Sequence, residues 1–593
     1  MNSTANCHRK FRPVSRIKIR CCDKMTVDGV EFGVVKVMGS ILNPDKDNSF
    51  IRLVKFKDSE IFIDKTDFIE KMSAKINSQN CLFAVTRPRR FGKTVTAHML
   101  SAYYSKGYAG QKIFDNLKIT NNEFKDSYEK HLNKYNVIYI DMNTIDGLFD
   151  GYSNKKQKVD GVNDLVDYFE YSIIKELKSS SEFAGCLEKH QIENTGLLET
   201  LLAITQDLNT KFIFIMDEWD LIYREYCNDE VLQKKFIKLL KNLFKADGGQ
   251  VCFALAYLTG ILPIKKYNSQ SALNGFDEYN MLSPGDYAAY FGFTEDEVAN
   301  IVKSPNCKVS HHDLKEWYEG YKIKGVDIYN PNSVCKAVSR NECISYWSGT
   351  SSNEEFISLI NMNFAGIKDD IIHLIEGSTI QFNCRTFQND MVSIENKDDI
   401  FSLLVCLGYL GCVDDGADDR TAYVPNKEIK TALSSLVKAQ PWFNSMPIIE
   451  RSESLFKAIT ELDGNKTAEI ITEIHNSPNV SLLTYNREES MVFCLISGLM
   501  WRTEREYECF RELQSGKGSA DLIYAPKRNM NLPILLIEFK YGQSAEEAMN
   551  QIKEKEYFSR YRDGDYPNDV LLIGINYNPK TKDHQCLIEK LDK

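Results

Sequence analysis

The chain has 593 residues, a formal net charge of −10 and 43% hydrophobic residues. Its length predicts several domains with sizeable cores, and its acidic balance argues against a surface coated in basic side chains for avid nonspecific DNA binding. No apolar run reaches the length of a membrane-spanning helix, so the sequence predicts no membrane partner.

The 16 cysteines are scattered and form no C-x-x-C pair. This spacing predicts neither a zinc site nor a disulfide framework. The N-terminus has no signal-peptide pattern, so the expected location is the reducing interior of the cell, in the cytoplasm.

Residues 1–48 are predicted to form a tail and a small strand-rich lead-in. The basic side chains of this tail cluster between residues 9 and 24, where Asp23 is the acidic exception. Such an arm is typical of nucleic-acid binding or of a nuclear signal. It is also typical of a disordered tail, or of a leader upstream of a start at Met25, and these alternatives stay open.

A buried strand that runs into a phosphate-binding turn is predicted over residues 82–94, Leu-Phe-Ala-Val-Thr-Arg-Pro-Arg-Arg-Phe-Gly-Lys-Thr. Gly92 would open a helix whose first N–H groups favour an anion. Lys93 is predicted to reach the β- and γ-phosphates, and the Thr94 hydroxyl to ligate Mg²⁺.

Three arginines lie in this turn. Arg87 stands where the common phosphate-loop pattern has glycine, and Arg89 and Arg90 follow it. Guanidinium groups can clamp phosphate oxygens bidentately, so all three are predicted to bind the nucleotide. The alternative is that they pair with Asp64 or Asp67 and only fix the turn.

Two further strands fit the same kind of core. Residues 211–220, Lys-Phe-Ile-Phe-Ile-Met-Asp-Glu-Trp-Asp, are an apolar run that ends in carboxylates. Asp217 is predicted to hold the Mg²⁺ shell, and Glu218 to polarise the attacking water. Residues 251–260 form a third buried strand, and Thr259 near its end is predicted to sense the γ-phosphate.

Helix-length segments separate these strands, with evident helices at residues 163–177 and 229–245. Strands alternating with helices predict an α/β P-loop NTPase core, here over residues 49–290. The three features in this order argue against a purely structural explanation of the segment at 82–94.

Residues 291–440 are predicted to form a mostly helical lid over the nucleotide, followed by a helical linker at 441–480. The apolar run at 401–413 is predicted to be a buried helix. Aromatic residues of the lid, among them Trp317 and Tyr346, are expected to form core, with base stacking as the alternative.

A second chemical site is predicted near the C-terminus. Residues 518–524 form a turn into a strand that carries Asp521, and residues 533–541 form a central strand that carries Glu538 and Lys540. Side chains two apart on a strand share a face. Asp521 and Glu538 are therefore predicted to bind Mg²⁺ or Mn²⁺, while Lys540 orients or activates water.

The flanking segments complete a smaller α/β domain over residues 481–593. A helix is predicted around 486–497, from which Glu489 is expected to supply a further metal ligand. An amphipathic helix at 546–561 and a strand at 570–575 follow.

The N-terminal motifs look like an AAA-ATPase-like family that is found with a C-terminal nuclease domain. Residues 62–67, 87–94, 217–220 and 258–263 carry the resemblance, and the phosphate motif of that family typically reads R-P-R-R-F-G-K-[ST], which accounts for the first arginine of the turn. Trp219 departs from the family, where tyrosine is usual.

The C-terminal motif resembles the PD-(D/E)XK nuclease superfamily, read as Asp521 followed by residues 538–540. Gln551 and Tyr557 match positions that the superfamily uses on its second helix, whereas Ser519 stands where arginine is frequent. Together the two resemblances cover roughly residues 50–593, and they imply a restriction-endonuclease-like fold for the C-terminal domain.

The resemblance implies ATP and Mg²⁺ as cofactors, with Mn²⁺ also suited to the second site, and DNA or RNA as partner. The first hypothesis is an ATPase coupled to a Mg-dependent nuclease that cleaves phosphodiesters. One alternative is a nucleotide-gated nucleic-acid-binding or switch protein whose nuclease-like domain does not cleave. Another is a degenerate NTPase scaffold joined to an independent nuclease. The retained residues of both sites favour the first.

A homo-oligomer is the other partner that the resemblance leaves open, because P-loop ATPases of this kind often complete their site with an arginine from a neighbouring subunit. Arg224, just beyond the acidic strand, is one candidate for that arginine.

Overall fold

The computed structural model describes most of the chain. A short antiparallel strand pair, residues 26–27 and 30–31, belongs to one compact unit, residues 1–40, and the remainder forms a second unit, residues 41–593. The described residues are 26–27, 30–31, 41–57, 61–154, 161–190, 195–245, 249–264, 266–267, 270–271, 273, 275–304, 307–347, 352–362, 364, 366–387, 394–416, 418–440, 447–476, 487–503, 506–527, 530–562 and 569–591.

Five strands form the central sheet of the N-terminal half. They are β1 (Leu82–Thr86), β2 (Asn136–Asp141), β3 (Phe212–Asp217), β4 (Phe253–Gly260) and β5 (Asp277–Tyr279). Their order is β2-β3-β4-β1-β5, and every neighbouring pair is parallel. β1, β3 and β4 are buried along their whole length, as expected for a parallel sheet that helices cover on both faces.

The helices of this half divide between the two faces of the sheet. One face packs with the helices near the phosphate turn, and the other with the helices inserted between β2 and β4. The helices are α1 (Ser49–Lys55), α2 (Phe68–Ser73), α3 (Lys93–Tyr104), α4 (Lys125–His131), α5 (Met142–Ser153), α6 (Leu165–Ser179), α7 (Ala184–Lys189), α8 (Leu197–Leu208), α9 (Leu221–Glu225), α10 (Glu230–Lys245) and α11 (Gly249–Cys252).

The region after β5 combines helices with two small antiparallel sheets. Its helices are α12 (Glu295–Val302), α13 (His311–Tyr318), α14 (Pro331–Arg340), α15 (Ser352–Asn361), α16 (Ile367–Glu376), α17 (Lys397–Leu407) and α18 (Lys427–Lys438). The sheets are β6 (Phe293–Thr294), β7 (Tyr321–Ile323) and β8 (Val326–Tyr329), and β9 (Ile380–Asn383), β10 (Gly411–Gly416) and β11 (Asp419–Tyr423). The prediction of a mostly helical region did not include these sheets.

The predicted helix at 401–413 is wrong in its second half. α17 ends at Leu407 and is capped by Gly408. The φ of Gly408 is +86°, the left-handed conformation that glycine adopts without strain, and β10 begins at Gly411. The aromatic residues of the region are core: Tyr346 is buried, and Trp317 packs against its cluster.

The C-terminal part is a five-stranded mixed sheet between helices. The helices are α19 (Pro447–Thr460), α20 (Gly464–His475), α21 (Arg487–Thr503), α22 (Ala545–Glu554) and α23 (Ser559–Arg562). The strands are β12 (Tyr507–Ser515), β13 (Gly518–Pro526), β14 (Ile534–Tyr541), β15 (Val570–Asn578) and β16 (Asp583–Lys590), in sequence order, and β14 and β15 are the parallel pair.

The predicted fold class is confirmed, since a mixed α/β fold with a parallel sheet is joined to a smaller α/β unit. The predicted domain boundaries stay predictions. The single helix predicted over 546–561 is instead two, because Glu556 has a φ of +50° and interrupts the helical path between α22 and α23. Within the described residues, no helix is both long and apolar enough to cross a bilayer.

Two candidate active sites

The phosphate turn connects β1 to α3. Gly92 has a φ of +88° and precedes the first residue of α3. Lys93 follows it and is only 4% exposed, and its Nζ donates to the Pro88 carbonyl at 3.0 Å. Burial lowers the pKa of Lys93, while the carboxylates of Glu218 and Asp217 oppose that shift. The ammonium is thus held inside the turn, where a phosphate would meet it.

A cavity of about 870 Å³ opens beside this turn. Its polar lining includes Arg89, Arg90, Gly92, Lys93, Thr94 and Glu218. Its apolar lining includes Phe50, Ile61, Met99, Tyr290 and Phe293. A lining that combines cationic and apolar side chains suits a molecule that carries both phosphates and a flat base.

Asp217 is the last residue of β3, and Glu218 follows it. Asp217 is 1% exposed, and burial, with the neighbouring Glu218 carboxylate second, raises its pKa to about 7. The Thr94 hydroxyl and Lys93 oppose this shift, so both lie close to the carboxylate. Glu218 has a φ of +54°, and it lines the cavity. The structure therefore brings the predicted Mg²⁺ residues Thr94 and Asp217 together.

Arg224 is held within its own chain, which corrects its assignment as a candidate arginine for a neighbouring site. Its side chain is 4% exposed. Nη2 donates to Glu218 Oε2 at 2.5 Å and Nε to Asp220 Oδ2 at 3.0 Å. A buried guanidinium that two carboxylates of the same chain neutralise does not reach a second subunit.

Arg87 does not face the cavity, which corrects its prediction as a phosphate ligand. The side chain is fully buried, and Nη1 donates to the carbonyls of Thr86 at 2.8 Å and Tyr279 at 3.0 Å. The guanidinium lies 5.4 Å from the centre of the Phe291 ring, and burial lowers its pKa to about 10. Arg87 fastens β5 to the end of β1.

Thr259 is a second correction. It is fully buried at the end of β4, and its hydroxyl donates to the Val85 carbonyl at 2.8 Å. The side chain thus ties β4 to β1 rather than turning toward a γ-phosphate.

Asp64, the alternative partner of the arginines, accepts hydrogen bonds from two other residues. Asp64 Oδ1 accepts from the Thr66 amide at 2.9 Å and hydroxyl at 2.7 Å, and Oδ2 accepts from the Lys118 amide at 2.7 Å. Asp64 thereby shapes the chain just after residues 61–63, which line the cavity. The phosphate motif alone did not predict this apolar lining. In the sequence, only the family resemblance of residues 62–67 pointed to this segment.

The C-terminal site is built on β13 and β14. Asp521 Oδ2 accepts from the Phe539 amide at 2.8 Å, which joins the two strands. Glu538 is 1% exposed, and its Oε1 accepts from Lys540 Nζ at 3.0 Å and from Gln551 Nε2. Gln551 Nε2 also lies 3.0 Å from the hydroxyl of Tyr557. Lys540 and Gln551 thus both donate to the Glu538 carboxylate.

The electrostatics of this site favour a cation. Burial, with the charge of Asp521 second, raises the pKa of Glu538 to about 7, although Lys540 opposes the shift. Glu538 Oε2 is buried, and within the described part of the chain no hydrogen-bond donor contacts it. A buried carboxylate oxygen without a donor, beside a second carboxylate, fits an oxygen-preferring divalent cation.

Glu489, the further predicted metal ligand, lies in α21, but its side chain falls outside the described residues. The described part of α21 packs through Met491 and Leu495 in the same core cluster as Phe539.

The chain is similar to known proteins over both halves. Residues 48–268 match the model of a predicted AAA-ATPase family, and residues 488–585 match that of the PD-(D/E)XK nuclease superfamily. The architecture that the motifs implied is therefore confirmed.

Individual proteins are more distant. A protein of Azotobacter chroococcum mcd 1, "Uncharacterized protein in vnfD 5'region", is 21% identical over 542 residues, which cover 88% of this chain and 93% of that protein. The structure of the Aeropyrum pernix ORC2 protein aligns with 66% of this chain and 98% of its own at 12% identity, with a TM-score of 0.27.

Proposed function

We propose that this chain binds and hydrolyses ATP and couples the hydrolysis to Mg-dependent cleavage of DNA or RNA. The proposal agrees with its matches to a predicted AAA-ATPase family and to the PD-(D/E)XK nuclease superfamily. One observation supports both parts. Each site keeps a buried carboxylate beside a lysine, Asp217 near Lys93 and Glu538 near Lys540, and each carboxylate has a pKa raised to about 7. A divalent cation would stabilise the ionised form in both places.

In the nucleotide site, Lys93 would bind the β- and γ-phosphates, and Arg89 and Arg90 line the same cavity. Thr94 and Asp217 would hold Mg²⁺, which neutralises phosphate charge when it is bound. Glu218 would orient the attacking water, and its ion pair with Arg224 holds that carboxylate.

In the C-terminal site, Asp521 and Glu538 would hold Mg²⁺ or Mn²⁺, which supplies Lewis-acid activation of the phosphodiester and of water. Lys540 would orient the water, since its ammonium is already held against Glu538 Oε1. Gln551 holds the same oxygen, which leaves Oε2 for the cation.

The test is cleavage of labelled single- and double-stranded DNA and RNA with Mg²⁺ or Mn²⁺, with and without ATP. Asp521→Ala should abolish cleavage and keep ATP hydrolysis, and Lys93→Ala should abolish hydrolysis. Glu589→Ala and Lys106→Ala are the matched controls, because both residues are exposed and lie outside the two sites.

Cleavage that persists in Asp521→Ala would overturn the nuclease assignment, and hydrolysis that persists in Lys93→Ala would overturn the ATPase assignment. If ATP is hydrolysed and no substrate is cut, the nucleotide-gated binding or switch protein replaces the nuclease.

A further inference from the structure

A third cluster of metal-binding side chains lies away from both sites. It is formed by Cys186 of α7, His190 at the end of that helix and Asp207 of α8. One ligand atom from each residue lies within 4.8 Å of the other two. α7 and α8 belong to the segment between β2 and β3, and none of the three residues lines the nucleotide cavity.

The geometry of the cluster is that of a small chelate. Cys186 and His190 are four residues apart, so one helical turn presents both on one face, the spacing that also lets two histidines of a helix share a zinc ion. His190 Nε2 is 3.5 Å from Asp207 Oδ1. Cys186 is 6% exposed, whereas the side chains of His190 and Asp207 are 39% and 20% exposed. The thiol therefore lies inside, and the other two ligands close over it from the surface.

We propose that Cys186, His190 and Asp207 bind a Zn²⁺ ion, with water in the fourth position of a tetrahedral site. Thiolate sulfur, imidazole nitrogen and carboxylate oxygen are the protein ligands that zinc takes. On binding, the Cys186 thiol releases its proton to solvent and a sulfur–zinc bond forms. The charges balance, because the thiolate and the carboxylate together neutralise the doubly charged ion.

Lys189 is the competitor for this site. Its Nζ contacts Asp207 Oδ1, but its side chain is 64% exposed. An exposed ion pair of this kind is weak, and a lysine on a flexible stem can turn into solvent when a divalent ion arrives.

The bound ion would fasten the end of α7 to the end of α8. Cysteine spacing along the chain predicted no zinc site, because that reasoning considers C-x-x-C pairs. Here the ligands combine a single C-x-x-x-H turn with a carboxylate from the next helix, a set that only the packing of α7 against α8 assembles.

The test is Co²⁺ binding to the full-length protein after removal of metals with a chelator, followed by absorption spectroscopy. A thiolate-to-cobalt charge-transfer band and tetrahedral ligand-field bands should appear, saturate at one ion per chain and disappear when Zn²⁺ is added. Cobalt bound at the carboxylate sites gives no thiolate band, so neither candidate active site produces this signal.

Variants assign the ligands. Cys186→Ala should remove the band, and Cys252→Ala, a buried cysteine outside the cluster, should keep it. His190→Ala and Asp207→Asn change exposed ligands and should weaken Co²⁺ and Zn²⁺ binding at least tenfold without changing the melting temperature of the metal-free protein. Lys189→Ala should tighten binding, since it removes the competing cation.

The proposal predicts one further readout. Zn²⁺ should raise the melting temperature of the wild type and leave that of His190→Ala unchanged. Absence of a thiolate band, a band that survives in Cys186→Ala, or equal zinc affinity in wild type and His190→Ala would each overturn the site.

Discussion

The carboxylates at the end of β3 have different roles. Glu218 lines the nucleotide cavity and Asp217 lies beside Thr94 and Lys93, whereas Asp220 is fully buried and accepts hydrogen bonds from the backbone. Asp220 Oδ2 accepts from the amides of Ile261 at 3.2 Å and Leu262 at 2.9 Å. This carboxylate thus holds the segment that follows β4, and the Arg224 guanidinium neutralises its charge.

Replacement of Arg224 tests this division. Arg224→Ala leaves the buried carboxylate of Asp220 and the partly exposed carboxylate of Glu218 without their cation, and breaking a buried pair costs about 3 kcal/mol. Glu225→Ala removes a partner that is 57% exposed and 3.8 Å away, so it should cost less than about 1 kcal/mol. Thermal unfolding followed by circular dichroism measures both. Equal melting temperatures of the two variants would contradict the buried role of Arg224.

The phosphate site shows what spacing along the chain can predict. The order of a buried strand, a G-K-T turn and an acidic strand predicts a nucleotide site with Lys93, Thr94 and Glu218, and these three residues line one cavity. It does not predict the direction of Arg87 and Thr259, whose side chains satisfy backbone carbonyls of neighbouring strands. Those carbonyls come from segments far away in sequence, so only the assembled sheet reveals them.

At the scale of elements, α20 and β16 meet through a pair of buried histidines. His584 Nε2 lies 3.2 Å from His475 Nδ1, and His584 Nδ1 lies 3.1 Å from the hydroxyl of Thr472. Burial, with the nearby His475 second, lowers the pKa of His584 to about 3, while Asp583 opposes the shift. Burial also lowers the pKa of His475. Both rings are therefore neutral in the folded state at neutral pH.

This contact should be lost in acid. His584 titrates at its ordinary pKa of 6.5 when unfolded, so below that pH the unfolded state binds more protons and the contact weakens toward pH 3. The effect is at most about 1.4 kcal/mol per pH unit for one histidine. Hydrogen exchange of residues 464–475 and 583–590, corrected for intrinsic rates, should show protection that falls between pH 7 and pH 5.

The variant His584→Gln should flatten that pH dependence, because glutamine does not titrate in this range. His312→Gln is the control, since His312 is exposed on α13. Equal slopes in wild type and His584→Gln would show that another group controls the acid response.

Element boundaries mark the limit of sequence prediction in this chain. Central strands of both sheets were predicted, because short apolar runs such as residues 212–216 and 534–537 end in polar residues. The strands β2 and β5 were not predicted. The ends of α17 and α22 were not predicted either. Gly408 and Glu556 take left-handed conformations at these ends, and Glu556 is a residue type that gives no signal for one.

At the scale of the whole molecule, α21 connects the region after β5 to the C-terminal sheet. Trp501, near its end, is 8% exposed, and its Nε1 donates to the buried Glu376 of α16 at 2.9 Å. Lys438, the last residue of α18, lies over the Trp501 ring at 5.4 Å. The opposite end of α18 lies near the nucleotide cavity. Glu428, at the start of this helix, is buried near Arg90, which lines the cavity.

A physical path therefore runs from Arg90 through α18 to α21, whose described residues pack on the sheet that carries Glu538. Glu428 Oε1 also accepts from the backbone amides of Tyr346 at 2.7 Å and Trp347 at 3.1 Å, which ties the start of α18 to this segment. A nucleotide that moves Arg90 would shift this helix as a unit. Such a path carries coupling only if both sites bias it, which an experiment must show.

Trp501→Phe is the sharpest test of that coupling. It keeps an aromatic ring against Lys438 but removes the donor to Glu376, an interaction worth about 1–3 kcal/mol when buried. We expect ATP hydrolysis near the wild-type rate and a ratio of cleavage rates with and without ATP that falls at least about fivefold toward one. Glu376→Gln is the matched control, because its amide oxygen still accepts from Trp501. A wild-type ratio in Trp501→Phe, with cleavage intact, would show that α21 holds the two halves together without transmitting the nucleotide state.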